Sequence, residues 1–202
     1  MSTTLSTLTF NALSCERDDR ILFKNLSGKL EPGNILCVSG PNGIGKTTLL
    51  RILADLYQPD EGSVLINDEK VCLCRNQILY FGHKTQISKD LTIIDNLLFL
   101  TGAAPNILHT AFMAVGLEHY YDSRGRELSQ GQQRRAALAR LWCSSAPIWI
   151  LDEPYTALDS EMVTILDKQI SRHAEGGGIC VFTTHSRSQL LAHDTLDLAN
   201  VY

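Results

Sequence analysis

Three short runs carry side chains and turns suited to holding anions and activating water. Gly40-Pro41-Asn42-Gly43-Ile44-Gly45-Lys46-Thr47 has the spacing G-x-x-x-x-G-K-[ST]. Glycines at these places let backbone N–H groups turn inward around anionic oxygens. A helix opening at Lys46 adds the positive end of its dipole. In such a loop Lys46 reaches the outer phosphates of a nucleotide, Thr47 offers a hydroxyl to Mg2+, and Thr48, next in the first helical turn, joins the nucleotide-binding set with Gly40–Thr47. The second run, Ile148-Trp149-Ile150-Leu151-Asp152-Glu153, is an apolar strand that delivers two acids at its C-terminal end. Open α/β sheets bind ligands at that edge. Asp152 is expected to hold Mg2+, mainly through water, and Glu153 to polarise an attacking water as a general base. The third run is Leu128-Ser129-Gln130-Gly131-Gln132, a small turn at the start of a helix. Its free N–H groups make a second anion site that one phosphate loop does not need. The same residues also read as a plain capped helix start, with Ser129 as cap and Gln132 three residues on.

These runs need elements to position them. Ile35–Ser39 reads as a buried strand, the phosphate loop as the turn after it, and Lys46–Leu56 as the helix that follows. Leu5–Leu30 reads as short strands with a hairpin around Arg17–Arg20, and Gly62–Cys74 as further strand with a turn at Asn67-Asp68. Helices are expected at Asp95–Leu100, at Asn106–Val115 behind Pro105, and over Ser129–Ser144. Ser160–Glu175 is helical up to Gly176-Gly177-Gly178. Ile179–Thr183 is another apolar strand, ending near His185, and a short helix and Leu196–Ala199 close the chain. Strands alternating with helices imply an α/β core with a mostly parallel sheet, and the early strands imply an antiparallel β subdomain.

Composition removes several classes. The chain has 202 residues, 44% hydrophobic and 20% charged, which suits one domain with its own core. Net charge is -4, with no basic run, so no nucleic-acid partner is expected. Of six cysteines, Cys72 and Cys74 form only a C-x-C with no second pair at metal spacing. Thiols in a reducing compartment fit best. The N-terminus lacks the charged and apolar regions of a signal peptide. No run approaches the roughly 18 apolar residues that span a bilayer.

The order of phosphate loop, Leu128–Gln132, apolar strand with Asp152-Glu153, and His185 resembles the ABC ATPases, from Leu5 to Leu198. The resemblance implies a P-loop NTPase of ABC type. Residues 1–202 would form a single ATP-binding domain, with a helical subdomain at roughly 84–145 carrying the Leu128–Gln132 turn. It implies ATP and Mg2+ as ligands, held in a head-to-tail sandwich with a second copy of the chain. In that sandwich Ser129, Gly131 and Gln132 of one copy close over the γ-phosphate held by the other. Asp159, in Ala157-Leu158-Asp159, falls at the dimer seam, and His185 contacts the γ-phosphate. Two positions depart from the family pattern. His83 stands eight residues before Leu91-Thr92, where a metal-site Gln is usual, with Gln86 nearby. Arg17 stands near the place of the aromatic that stacks on adenine, and a guanidinium can stack there instead.

Cys15-Glu16-Arg17, Tyr80–Lys84, Leu91-Thr92 with Asn96-Leu97, Leu128–Arg135 and Trp149–Pro154 narrow the resemblance to the haem-exporter branch that serves cytochrome c maturation. That branch implies a peripheral subunit on the cytoplasmic face of a bacterial inner membrane, or the matrix face of a mitochondrial one. It would act with integral membrane subunits of a haem-delivery transporter. Phe81–Asn96 is then the partner-facing segment, with Ile93, Ile94, Leu97 and Phe99 either exposed to support it or packed inside. Alternatives are a subunit of another ABC transporter, or a soluble ABC ATPase acting on nucleic acid or ribosomes. The last fits poorly, because only 83 residues with no heptad run separate Lys46 from Ser129, and one cassette is present.

Overall fold

The computed structural model describes residues 5–184 and 194–200. Strands β1 (Leu8–Arg17), β2 (Arg20–Leu30), β4 (Glu61–Ile66) and β5 (Glu69–Lys70) form an antiparallel sheet in the order β2-β1-β4-β5. The first two are longer than the short strands expected. They are joined at Asp18-Asp19, both with positive φ, the backbone that a two-residue hairpin turn requires. β3 (Ile35–Ser39), β6 (Ile78–Phe81), β7 (Ile148–Leu151), β8 (Ile179–Thr183) and β9 (Asp194–Asp197) form a parallel sheet in the order β6-β7-β8-β3-β9. Every residue of β7 and β8 is buried, as a central parallel strand demands.

The chain divides into two compact units, the first comprising Met1–Phe81, Ala146–Pro154 and Ile170–Tyr202. Its core joins Leu8, Phe10, Phe23 and Ile66 to Val38, Leu49, Ile150 and Val181. Helix α1 (Lys46–Leu53) stops earlier than Leu56, at a C-cap on Ala54. The second unit comprises Gly82–Ser145 and Tyr155–Gln169. It holds α2 (Ile93–Thr101), capped by the Thr92 hydroxyl, and α3 (Pro105–Ala114) with proline in its first turn. The helix expected over Ser129–Ser144 is divided into α4 (Gln130–Leu138) and α5 (Arg140–Cys143). At Ala139 the N–H is shared between the Arg135 and Ala136 carbonyls, and the Trp142 N–H bonds only three residues back, to Ala139. The ladder tightens there from four-residue to three-residue spacing. Among the described residues no single helix is long and apolar enough to cross a membrane.

Helix α6 (Ser160–Glu175) begins in the second unit and ends in the first. Near its end His173 stacks on Trp149, with ring centroids 3.8 Å apart and planes 6° from parallel. Its Nε2 lies 3.3 Å from the Ile179 carbonyl oxygen. Burial pushes this imidazole from the ordinary 6.5 down to about 4, outweighing hydrogen bonds to the Ile179 and Pro147 carbonyls. Between those values the unfolded chain takes up a proton that the native state refuses. Stability is therefore full near neutral pH, falls as pH drops through about 6.5, and has lost on the order of 3 kcal/mol from this group near pH 4. Urea unfolding followed by tryptophan fluorescence should show this slope, and His173→Phe should remove it. A substituted chain with the native slope would place the proton elsewhere.

Candidate active site

The C-terminal ends of β3, β8 and β7 lie side by side, because β8 pairs with both of the others. β3 ends in Ser39, β8 ends in Thr183, and β7 runs directly into Asp152-Glu153. β3 leads into the loop Gly40–Gly45 and then α1. Gly40 has φ +132° and Gly45 φ +114°, a region where L side chains are strained. At Gly45 an added Cβ would also meet Leu22 Cβ at 3.0 Å. Ile44 is buried beneath the loop, while Pro41, Asn42 and Gly43 are exposed. No side chain among the described residues caps α1, so its leading N–H groups stay free to receive an anion.

Lys46 is only 7% exposed, and its Nζ donates to the carbonyls of Gly40 at 2.7 Å and Pro41 at 3.0 Å. Burial lowers its pKa, and the charges of Glu153 and Asp152 partly restore it. Thr47 Oγ1 donates to Asp152 Oδ1 at 3.2 Å. Asp152 is 2% exposed and held at the end of β7 by its own N–H, which donates to the Phe81 carbonyl at 2.7 Å. Glu153 has φ +51°, a left-handed backbone that costs a side-chain-bearing residue on the order of 1–3 kcal/mol. A cavity of about 650 Å³ is lined by Arg17, Asp18, Arg20, Leu22, Asn42, Gly43, Gly45, Lys46, Thr47, Thr48 and Glu153. Its wall brings together cationic and N–H donors for phosphate, the Glu153 carboxylate and the Thr47 hydroxyl, which is bonded behind the wall to Asp152 in a hydroxyl–carboxylate pair of the kind Mg2+ prefers. That set can bind a nucleotide triphosphate and activate water beside it.

Arg17 also lines this cavity. Its guanidinium sits 4.5 Å from the centre of the Tyr57 ring, and its Nε donates to the Tyr57 hydroxyl at 3.3 Å. This bond and the ring raise its pKa further. Tyr57 carries no sequence signal for that role. Thr183 is another residue the sequence reading missed. It is wholly buried, accepts from the Glu153 N–H at 2.8 Å and donates to Asp152 Oδ1 at 3.0 Å. A threonine ending an apolar strand reads only as a good strand former. His185 lies outside the described residues.

The second unit carries the remaining residues. Ser129 is exposed and caps α4: its Oγ accepts from the Gln132 N–H at 3.2 Å, and its own N–H donates to Gln132 Oε1 at 2.9 Å. The plain capping box is thus formed, which leaves the N–H groups of Gln130 and Gly131 as the free donors of that turn. Gly131 has an ordinary φ, and an added Cβ would meet nothing nearer than the Ala157 carbonyl at 4.0 Å. Internal packing does not require glycine there. Asp159 caps α6 through the Met162 N–H at 2.9 Å and pairs with Arg135. His83 is exposed, and its carbonyl accepts from buried Arg134 at 3.0 Å. The Gln86 amide oxygen is held by buried Arg140 at 2.6 Å. Ile93 and Leu97 are fully buried and Ile94 is half-buried, but Phe99 is 84% exposed.

A sequence profile of the family described as ABC transporter matches residues 23–156. The chain belongs to the ABC transporter family. As an ABC protein it is an ATP-binding domain and an ATPase. It is 47% identical over 183 residues to the cytochrome c biogenesis ATP-binding export protein CcmA of Pseudomonas fluorescens strain Pf0-1, covering 86% of each chain. It is 43% identical over 201 residues to the protein of that name from Mannheimia succiniciproducens, covering 95% of this chain and 94% of the other. A putative ABC transporter ATP-binding protein from Pyrococcus furiosus superposes with a TM-score of 0.86 at 24% identity, over 96% of this chain and 98% of that one. A bacterial Atm1-family ABC exporter with ATP bound superposes with a TM-score of 0.85 at 23% identity, over all of this chain and 39% of that one. The two solved structures share the ABC ATPase fold.

Proposed function

We propose that this chain is the ATP-hydrolysing subunit of an ABC transporter complex that serves haem export or delivery for c-type cytochrome maturation. The observation that carries the enzymatic part is a cavity lined by Lys46, Thr47 and Glu153, with Asp152 bonded to Thr47. The pathway rests on 42–47% identity to cytochrome c biogenesis ATP-binding export proteins over most of the chain.

In this reading residues 1–202 act as one ATP-binding domain. The loop Gly40–Gly45 and the start of α1 hold the phosphates, and Lys46 leaves its loop carbonyls for the β- and γ-oxygens. Thr47 and Asp152 hold Mg2+, with His83 contributing through water. Held by these residues, Mg2+ would supply positive charge to offset that of the phosphates. Glu153 takes a proton from water as its oxygen bonds to the γ-phosphorus, and the bond to the β–γ bridging oxygen breaks to release ADP. His185 contacts the γ-phosphate. Arg17, backed by Tyr57, is a flat cationic platform for the base. Ser129, Gly131 and Gln132 of a second copy close the site, which explains why Gly131 has open space and no internal need to be glycine. Contacts made only to the γ-phosphate favour the closed dimer, so ATP shifts the equilibrium and hydrolysis releases it.

Phe99, with Leu98 beside it 48% exposed, offers apolar surface to integral membrane subunits. The chain then sits peripherally on the cytoplasmic face of a bacterial inner membrane. Purified through an affinity tag from membranes in mild detergent, it should bring polytopic proteins with it, and nuclease should not release it. Deletion in a host that makes c-type cytochromes should leave apocytochromes without covalent haem. Normal holocytochrome levels would reject the pathway and spare the ATPase.

A further inference from the structure

The polar residue that ends β8 occupies an unusual place. Ile179, Cys180, Val181 and Phe182 are apolar and buried, and Thr183 follows with no exposure at all. Valine has nearly the same shape and would fit such a strand without a polar atom to satisfy. The hydroxyl is used twice. The Glu153 N–H can only donate, so the oxygen accepts from it at 2.8 Å, and its one proton goes to Asp152 Oδ1 at 3.0 Å. Thr47 gives its proton to the same carboxylate oxygen at 3.2 Å. Two hydroxyls on Oδ1 fix the rotation of the carboxylate and leave Oδ2 as its remaining acceptor.

We propose that Thr183 is a positioning residue of the hydrolytic site, setting the Asp152 carboxylate for the metal and the Glu153 backbone for its water. The inference rests on the proposed nucleotide and Mg2+ site. Topology supplies the reason it falls to β8. This strand lies between β3, which delivers Thr47, and β7, which delivers Asp152 and Glu153, and Thr183 pairs in register with Val38. One hydroxyl on β8 therefore bonds both residues that follow β7, and it meets the Thr47 hydroxyl on the same Asp152 oxygen. Glu153 holds a left-handed backbone, φ +51°, and the bond from its N–H to Thr183 is one restraint on it.

The test separates metal use from turnover. In a Glu153→Gln background, ATP affinity is measured by equilibrium titration with Mg2+ and again with EDTA. Thr183→Val should reduce the Mg2+-dependent gain in affinity by about 10–100-fold and leave the EDTA value unchanged, as loss of an outer-shell partner does. With Glu153 intact, Thr183→Val should lower kcat by a similar factor and raise KM for ATP with Mg2+ in step with the lost affinity, and Thr183→Ser should restore both. Thr183→Ala carries the same expectation and keeps the test open if valine is not accommodated. A native Mg2+ gain and kcat in Thr183→Val, or a Thr183→Ser chain as defective as valine, would overturn the proposal. A native chain whose ATP affinity ignores Mg2+ would instead overturn the metal site beneath it.

Discussion

Glu153→Gln should cut steady-state ATP turnover by roughly 10²–10⁴-fold while leaving ATP affinity within a few-fold of native. The amide has nearly the shape of the carboxylate but cannot take a proton from water. Binding survives because the phosphate contacts come from other groups, namely Lys46, the loop backbone and the start of α1. The backbone at Glu153 should also survive, since the bond that holds it uses its N–H and the Thr183 hydroxyl, not its side chain. With hydrolysis blocked, bound ATP keeps the closed state populated, so the substituted chain should run as a dimer on size exclusion with ATP and Mg2+. Coupled-assay turnover and light scattering give both readings. Native turnover in Glu153→Gln would remove Glu153 as the base. A monomer under saturating ATP would remove the sandwich and leave the base in place.

Lys46→Ala should act on the earlier step. In the present structure the ammonium bonds the Gly40 and Pro41 carbonyls, and burial already depresses its pKa. The charge is thus held close to the phosphate loop in a poorly hydrated place, where a charge-assisted bond to phosphate gains most. Loss of about 3 kcal/mol of binding, on the order of 100-fold in Kd, is expected by calorimetry or fluorescent-nucleotide titration. Unchanged affinity would contradict the cradle. The same titration with GTP reads the Arg17 platform: a guanidinium face accepts either purine, so ATP and GTP should bind within a few-fold of each other. Strong rejection of GTP would mean that an edge-reading group, not Arg17 on Tyr57, holds the base.

The two titrations divide the site by function. In the proposed mechanism Lys46 serves ground-state binding and Glu153 the reacting water, and both line one cavity with Thr47 and Thr48. Exposure of Leu98 and Phe99 beside buried Ile93 and Leu97 divides the apolar residues of α2 the same way, into those that hold the helix and two that face outward.

The amino-acid sequence by itself determined the local elements that carry chemistry. The glycine spacing at Gly40–Gly45, the apolar runs before Asp152 and up to Thr183, and the Ser129–Gln132 cap pair are short-range patterns, and backbone conformation responds to them within a few residues. β6, only four residues long and half-buried for three of them, gave too little periodicity to be read. The break at Ala139 was equally hidden, since alanine favours the helix on both sides. Only the tertiary structure decided which strand lies between which. β8 enters between β3 and β7 from more than 130 residues beyond β3, and that order alone makes Thr183 a neighbour of Asp152 and Glu153. It likewise brought Tyr57 under Arg17 and Arg135 to Asp159. Such pairings depend on burial and strand order over long chain separations, and no spacing along the chain encodes them.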